Sequence, residues 1–408
     1  MWSPRPEDWC SIPSLQSRSF PALLDHASTQ WRASGRVQAR PGGCHPIKPG
    51  ETVTGTHGHY EVVRNLGWGQ YSTVWMVKSR TKEKYAAMKV MKAEFTDLPE
   101  LHEAEYLNRI LTADAAHPGF HHNLDLLDEF RVEGPNGEHL CLFTELLGET
   151  LASYTQRFPR RRPPIIVVKR ILRQVILATM YLYDECNIVH ADIKSNNILF
   201  TLPDGVMPEA ADSPGSAMPL ESANATVKLI DVGVACWADR VDEHFTALIQ
   251  SPELCAPEVA VGAGWGTPAD VWSLGRLVRP PPPPFGAHLV TCLDQVYELT
   301  TGDFLISSKV NEVSVSYLHT VFFGPYSRRM TQEGKYSSFF FKADGSQVPP
   351  QDVSIPLADI VKKLYGGADV DELIQFLHMM FRLEPRERAD RILLQIVFTP
   401  PSPGLYNF

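Results

Sequence analysis

Three scarcities limit what this chain can be. Its seven cysteines are an odd number with no C-x-x-C spacing, which argues against a disulfide framework and a zinc site. No apolar run approaches the ~20 residues that a membrane-spanning helix needs. Acidic residues outnumber basic ones, so the formal net charge is −9. These features predict a soluble protein with no membrane partner and no direct nucleic-acid contact, and they mildly favour a basic partner.

Three segments lack a regular apolar pattern. Residues 1–40 are predicted to be a disordered extension. A mitochondrial presequence is the alternative there, and Glu7 and Asp8 weaken it. Residues 201–226 are rich in Pro, Ala and Ser, which is typical of a mobile loop. Residues 396–408 are predicted to be a tail, so the folded part is expected between residues 41 and 395.

The pattern H-x-D-x-K-x-x-N occupies a polar loop between apolar flanks at residues 190–197. In phosphoryl transfer, an aspartate such as Asp192 takes the proton of a substrate hydroxyl, and an asparagine such as Asn197 holds a magnesium ion. Lys194 can neutralise charge on the transferring phosphate. The alternative is a polar turn between a helix and a strand, so the surrounding sequence must decide.

A β pattern precedes this loop. Two strands, 60–66 and 73–77, flank a glycine turn, where glycine lets backbone amides approach a phosphate. A third strand, 85–90, carries Lys89 among apolar residues, and a buried lysine needs a partner. The following helical segment offers Glu103 or Glu105.

Two further strands, around the hairpin turn at residues 134–137, lead to a linker at residues 145–148 that could contact an adenine ring. The ring would lie between Leu66, Val74, Ala87 and Leu199, although an ordinary core explains each of these equally well. A short strand at residues 227–230 ends at Asp231, which is placed to make a second metal contact beside Gly233.

The motifs follow the order found in protein kinases: glycine loop, strand lysine, helix glutamate, H-x-D-x-K-x-x-N, D-x-G, A-P-E and D-x-W-x-x-G. The chain resembles the eukaryotic-type protein kinases and, more narrowly, the SR protein kinases, including fungal relatives. The resemblance covers about residues 41–278 and 296–395. The narrower resemblance depends on five segments: residues 43–50, 66–75, 190–194, 235–237 and 334–341.

The resemblance implies an α+β fold of two lobes. Residues 41–147 would form a small antiparallel sheet with one main helix, and residues 148–395 a larger, mostly helical lobe. It also implies a monomer of the cytoplasm and nucleus that uses ATP and Mg²⁺. Its substrates would be Ser, or Thr, in Arg/Ser-rich proteins such as splicing factors.

Residue roles carry over where the motifs match. Asp192 would be the catalytic base, Lys194 would stabilise the phosphoryl group, and Ser251 would hydrogen-bond to both. Asn197 and Asp231 would bind Mg²⁺.

At the nucleotide, Lys89 would contact the α- and β-phosphates, held by Glu103. Glu145 and Leu147 would contact adenine through their backbones, with Thr144 as gatekeeper. The glycine loop and the adenine pocket would comprise Leu66, Gly67, Gly69, Ser72, Val74, Ala87 and Leu199. Asp270 would brace the catalytic loop, and Glu258 would pair with Arg388.

Two departures from the family pattern bear on control and on substrate choice. Ala191 replaces the arginine that couples the site of many kinases to a phosphorylated activation loop, so such control is not expected here. Residues 251–255 differ from the more basic stretch of better-known members, which leaves the substrate less defined than the kinase activity.

Two other functions remain as alternatives. A small-molecule phosphotransferase shares the H-x-D and Asn pattern, but the A-P-E and D-x-W-x-x-G motifs argue against it. A weakly active or inactive pseudokinase scaffold conflicts with the presence of all the catalytic residues.

An apparent insertion favours the scaffold. The helix that begins near Val271 meets five consecutive prolines at residues 280–284, and each proline inside a helix costs ~3 kcal/mol or more. Joining Leu277 to Val296 would give an unbroken helical pattern. We therefore predict an insertion at residues 278–295. A retained intron is one hypothesis, because Val278-Arg279 can be encoded by GTACGT and Gln295 by CAG. A genuine loop that splits the helix is the other.

Deleting residues 278–295 is expected to raise both the melting temperature and the kinase activity, because it removes the prolines from the helix. Thermal unfolding and a peptide phosphorylation assay on the two chains would measure this. A deletion that lowers both values, or transcripts that contain only the long form, would show that the segment is a genuine part of the protein.

Overall fold

The structure is a computed structural model that describes residues 41–81, 84–159, 163–202, 225–243, 246, 249–250, 255–275, 312–348, 354, 356–364 and 370–388. The predictions for residues 1–40, for most of 201–226, for 278–295, for 396–408 and for Ser251 lie outside these residues. No helix in the described part of the chain has the length and apolar character needed to cross a membrane.

A six-stranded antiparallel sheet forms the small lobe within the described residues, in the order β1-β2-β3-β4-β6-β5. Helix α1 (Ala93–Thr96) and helix α2 (Glu103–Thr112) lie between β4 and β5 in the chain. A two-residue turn joins β5 to β6, since Gly134 pairs with Gly137. The strands are β1 (Thr52–Gly55), β2 (Gly58–Trp68), β3 (Ser72–Ser79), β4 (Tyr85–Met91), β5 (Leu126–Gly134) and β6 (Gly137–Glu145).

The two faces of this sheet do different work, because side chains alternate along a strand. One face forms a compact apolar cluster that includes Val62, Val77, Met88 and Phe143. The other face carries Lys89, directly opposite both Val74 on β3 and Leu142 on β6. Leu142 belongs to the core of the large lobe. The charged side chain therefore lies on the face that meets the large lobe.

The large lobe is built around helix α4 (Ile165–Asp184). Val168, Ile171, Leu172 and Val175 recur at helical spacing and are all buried. Other elements are β7 (Leu147–Thr150), α3 (Leu151–Gln156), β8 (Ile188–Val189), β9 (Ile198–Thr201), β10 (Val227–Leu229), β11 (Cys236–Trp237), α5 (Pro257–Val261), α6 (Thr267–Gly275), α7 (Glu312–Phe323), α8 (Arg328–Glu333), α9 (Leu357–Leu364) and α10 (Val370–Met380).

Helix α6 supplies the centre of this lobe. The Trp272 ring lies 5.1 Å from His319, 5.2 Å from Phe323 and 5.0 Å from Phe381, measured between ring centroids. The expected ion pair of Glu258 with Arg388 is present, with two contacts of 2.5 Å and both side chains 1% exposed. Helix α6, which precedes residues 278–295 in the chain, is thus buried over residues 269–275.

The fold is that of a two-lobed α+β protein, as predicted, with one local difference at the connection between lobes. Residues 145–148 were expected to be a linker outside any sheet. Glu145 instead ends β6, and Leu147 begins β7, which pairs with β9 of the large lobe. Pairing at this point satisfies backbone polar groups that a free linker would leave to water.

Candidate active site

A buried carboxylate holds the catalytic loop. Asp270 of α6 accepts hydrogen bonds from the backbone nitrogens of His190, at 2.7 Å, and Ala191, at 2.8 Å, and from the Tyr183 hydroxyl at 2.9 Å. Burial raises the pKa of Asp270, and these donors oppose that effect. Ala191 has φ of 66°, a left-handed conformation that costs a non-glycine residue of order 1 kcal/mol. Asp270 stabilises this strained turn, and Asp192 follows directly.

The carboxylate of Asp192 is oriented from one side. Its Oδ2 atom accepts hydrogen bonds from Lys194 Nζ at 2.6 Å and from Asn197 Nδ2 at 2.9 Å. The same asparagine nitrogen donates to the Asp192 carbonyl oxygen at 2.9 Å. Among the described residues, no donor contacts Oδ1, so that oxygen can accept a proton from a ligand.

A second charged group lies at the end of β10. Lys89 Nζ is 2.6 Å from Glu103 Oε1 and 3.0 Å from Asp231 Oδ1, so one ammonium serves two carboxylates. Of the two candidate acids on α2, Glu103 is therefore the partner. Glu105 instead pairs with His102 at 3.2 Å and is 65% exposed.

This arrangement shifts the pKa values of all three groups. Burial alone would lower the pKa of Lys89, but Asp231 and Glu103 outweigh it and raise that pKa. The Lys89 ammonium lowers the pKa of Asp231 to about 2. Burial raises the pKa of Glu103, with Lys89 opposing it. Lys89 and Asp231 therefore remain charged at neutral pH.

The donor set fits a divalent cation that arrives with a phosphate ligand. The Asp231 side chain is 45% exposed. Within the described residues Lys89 contacts the Oδ1 atom of Asp231, which leaves the Oδ2 atom for an ion. Asn197 uses its amide nitrogen towards Asp192, which leaves its amide oxygen for an ion. Such hard oxygen donors suit Mg²⁺, which takes one or two protein ligands plus phosphates. No cluster of three or more His, Cys, Asp or Glu side chains suited to a metal occurs in the described residues.

The glycine loop leaves room beneath it. A Cβ atom added to Gly67 would meet nothing within 4 Å, and one added to Gly69 would meet only the Ser72 carbonyl oxygen at 3.9 Å. Neither glycine has a positive φ angle. The protein's own packing does not require glycine here, so the free space suits a phosphate lying against the backbone.

The predicted adenine residues lie on strands β2, β3, β4 and β9. Ala87 and Val74 share the sheet face with Lys89, and Thr144 pairs directly with Ala87. Leu66, near the end of β2, is 38% exposed. Leu199 lies on β9 opposite Thr150 of β7, and Leu147 pairs with Thr201 of the same strand. The predicted adenine residues thus lie on strands of both lobes, on either side of the connection between β6 and β7.

Lys228 was missed by the sequence prediction. It is buried on β10, three residues before Asp231, and its Nζ atom is 2.9 Å from Asp125 Oδ2 and also contacts Glu145 Oε1. The Asp125 backbone nitrogen donates to Glu145 Oε1 at 3.0 Å. Glu145 belongs to the predicted adenine-binding connection, so Lys228 links that connection to the strand that carries Asp231. A charged residue in an otherwise apolar short strand was the available signal.

The chain matches the family model of the protein kinase domain over residues 60–288. It therefore belongs to the protein kinase domain family, and it is a protein serine/threonine kinase. ATP and a divalent metal are general requirements of this family.

Its curated relatives narrow this assignment. Protein kinase dsk1 of Schizosaccharomyces pombe is 26% identical, with 86% of this chain and 81% of the relative covered. The serine/threonine-protein kinase SRPK of Physarum polycephalum is 27% identical, with 87% and 88% covered. SRSF protein kinase 3 of Homo sapiens is 36% identical over 40% of this chain and 28% of its own length. Within the protein kinases the chain is SRPK-like.

We predict that Lys228→Met destabilises the protein by about 2 kcal/mol at pH 7.5, because two partly buried carboxylates lose their shared cation. Burial already raises the pKa of Glu145, and loss of Lys228 should raise it further. A carboxyl group with a raised pKa in the folded state binds its proton more tightly there, so stability recovers as the pH falls. Urea unfolding at pH 7.5 and 5.5 would measure both effects.

The matched control is Lys362→Met, which removes an exposed ion pair with Asp371 of 3.4 Å. Its expected cost is under about 0.5 kcal/mol, with little dependence on pH. Equal losses for the two variants would contradict the assignment of Lys228 as a structural cation.

A second prediction concerns Thr144, which is 8% exposed beside Ala87. Its small side chain leaves space behind the adenine position, so inhibitors with a back-pocket substituent should bind wild type at least ~10-fold more tightly than Thr144→Phe. Calorimetry would measure the affinities. A parent inhibitor without the substituent should bind both proteins equally, and equal affinity for the substituted one would refute the prediction.

Proposed function

We propose that this chain uses ATP and Mg²⁺ to phosphorylate serine, and also threonine, in Arg/Ser-rich proteins such as splicing factors. The geometry of Asp192 carries the proposal. Lys194 and Asn197 hold one of its oxygens, and no donor among the described residues contacts the other, which can accept from a substrate hydroxyl. A general base needs such an oriented and accessible oxygen.

In this proposal Asp192 Oδ1 accepts the proton of the serine Oγ as the phosphoryl group is transferred. The Lys194 ammonium, 2.6 Å from Asp192 Oδ2, orients the base and stabilises charge that develops on the phosphoryl oxygens. Ser251, outside the described residues, is proposed to bond to both side chains.

Lys89 is proposed to bind the α- and β-phosphates, with Glu103 fixing its position. The Gly67, Gly69 and Ser72 backbone would cover the phosphates, and Glu145 and Leu147 would bind adenine through main-chain atoms. Asp231 and Asn197 would hold Mg²⁺, which when bound neutralises charge on the β- and γ-phosphate oxygens.

Two observations support an arginine-rich substrate. The net charge of −9 favours a basic partner, since opposite charge raises the rate of encounter. One relative bears the name SRSF protein kinase 3. We further propose that the chain acts as a monomer in the cytoplasm and nucleus. Its two lobes would comprise residues 41–147 and 148–395.

An inactive scaffold is the second candidate, and residues 278–295 are the observation that favours it. Five consecutive prolines follow closely on α6, whose described turns lie at the centre of the large lobe. Turnover by the full chain decides between the two functions.

We expect Asp192→Ala to lower kcat for an Arg/Ser peptide by at least ~10²-fold, the usual contribution of a general base. Nucleotide affinity should stay within ~3-fold, because Asp192 contacts the substrate hydroxyl and not ATP. Lys89→Met should instead impair productive nucleotide binding or transfer. Steady-state kinetics and calorimetry with an ATP analogue would separate the two variants.

Asp344→Ala is the matched control and should match wild type, because among the described residues this aspartate accepts hydrogen bonds from Ser346 of its own turn alone. A peptide with lysine in place of arginine tests the substrate class. Wild-type turnover by Asp192→Ala would refute the role of Asp192, and equal use of the two peptides would refute the preference for arginine.

A further inference from the structure

The two ends of helix α2 are held differently. Its N-cap residue, His102, makes no side-chain capping hydrogen bond. The other end is tied to the large lobe, because Tyr181 donates to the Ile110 carbonyl oxygen at 2.6 Å and Arg109 donates to that of Glu185. The position of Glu103 therefore depends on contacts of its own first turns.

An aromatic contact lies one helical turn beyond Glu103. Tyr106 is 3% exposed, and its ring lies 4.9 Å from the Trp237 ring at 66°, an edge-to-face geometry. Residues three apart on a helix share a face, so Glu103 and Tyr106 point to the same side of α2. Trp237 thus contacts the turn that presents Glu103 to Lys89.

Trp237 is itself fixed to the catalytic loop. It pairs with Ile188 of β8, and the next residue, Ala238, donates to the Asn187 carbonyl oxygen at 2.7 Å. Strand β8 ends at Val189, directly before His190. The Arg240 guanidinium lies over the indole at 5.6 Å from the ring centroid.

The small side chain of Val232, the residue after Asp231, makes the contact between Trp237 and Tyr106 more important. The D-F-G pattern of kinases has phenylalanine there, whose packing separates active from inactive states. This chain has Val232, a smaller side chain that is buried. The large aromatic side chain against α2 is supplied by Trp237 instead, five residues later.

We propose that Trp237 is a positioning residue that holds α2 against the catalytic loop through Tyr106 and thereby keeps Glu103 in contact with Lys89. The consequence for activity rests on the proposed kinase function. The consequence for α2 itself does not.

The test compares Trp237→Ala, Trp237→Phe and Tyr106→Ala with wild type, each also in a Glu103→Gln background. Trp237→Ala should lower kcat/KM for the Arg/Ser peptide ~10-fold, and Trp237→Phe should stay within ~3-fold, because an aromatic ring restores the contact. In the Glu103→Gln background, Trp237→Ala should cost less than ~2-fold, because residues acting through one pair are not additive. Equal losses in both backgrounds, or no rescue by phenylalanine, would overturn the proposal.

The control is Trp75→Ala, which removes a half-buried tryptophan of β3 that packs in the small-lobe cluster and donates to Thr73. It should lower the melting temperature and leave kcat/KM within ~2-fold. A loss as large as that of Trp237→Ala would mean that α2 positioning is not specific to Trp237.

Amide hydrogen exchange provides a measurement that needs no turnover. Trp237→Ala should speed exchange in the first turns of α2 by at least ~10-fold, and Trp75→Ala should not. Faster exchange in a chain that fails to phosphorylate any peptide would refute the proposed function and support the positioning role. Unchanged exchange at α2 would refute the positioning role whatever the activity.

Discussion

The site depends on one ammonium group shared by two carboxylates. Lys89 belongs to the small-lobe sheet, Glu103 to helix α2 and Asp231 to the end of a large-lobe strand. Removing charges from water costs several kcal/mol for each, and that cost is offset only when all the partners are in place. The cluster therefore specifies one arrangement of three elements more than it adds to stability, because any displacement of α2 leaves a charge unpaired.

A buried carboxylate fixes the catalytic loop, as a shared ammonium group fixes the three elements around Lys89. Asp270 is a buried carboxylate whose hydrogen-bond partners, within the described part of the chain, are two backbone nitrogens and a hydroxyl and include no cation. It fixes a backbone turn, including the left-handed Ala191, that would otherwise relax. His190 connects this loop to the strand that leads to Asp231, because its Nε2 atom lies 3.0 Å from the Ile230 carbonyl oxygen. Asp192 and Asp231 are thereby held in fixed positions relative to each other.

Local patterns predicted the strands and the hairpin at Gly134–Gly137, because periodicity and turn residues act over a few positions. They could not choose between Glu103 and Glu105, which carry the same charge on one helix. Lys228 escaped notice for a related reason. Its partners, Asp125 and Glu145, lie 103 and 83 residues away, and a single lysine in a short strand does not reveal them. Ion pairs between distant residues form only when the fold is assembled, so local sequence patterns cannot predict them.

Two lysines, the half-buried Lys89 and the buried Lys228, together constrain how the cleft can move. Lys228 attaches β10 to the connection between the lobes at Glu145, and Asp231, just beyond the other end of β10, contacts Lys89 of the small lobe. A rotation that opened the cleft about Glu145 would keep the first contact and stretch the second. A nucleotide could therefore change the contact between Lys89 and Asp231 while the contact between Lys228 and Glu145 stays intact. Helix α2 carries Glu103, the other partner of Lys89. Opening of the cleft would therefore also strain the ring contact between Trp237 and Tyr106, which holds α2 in place.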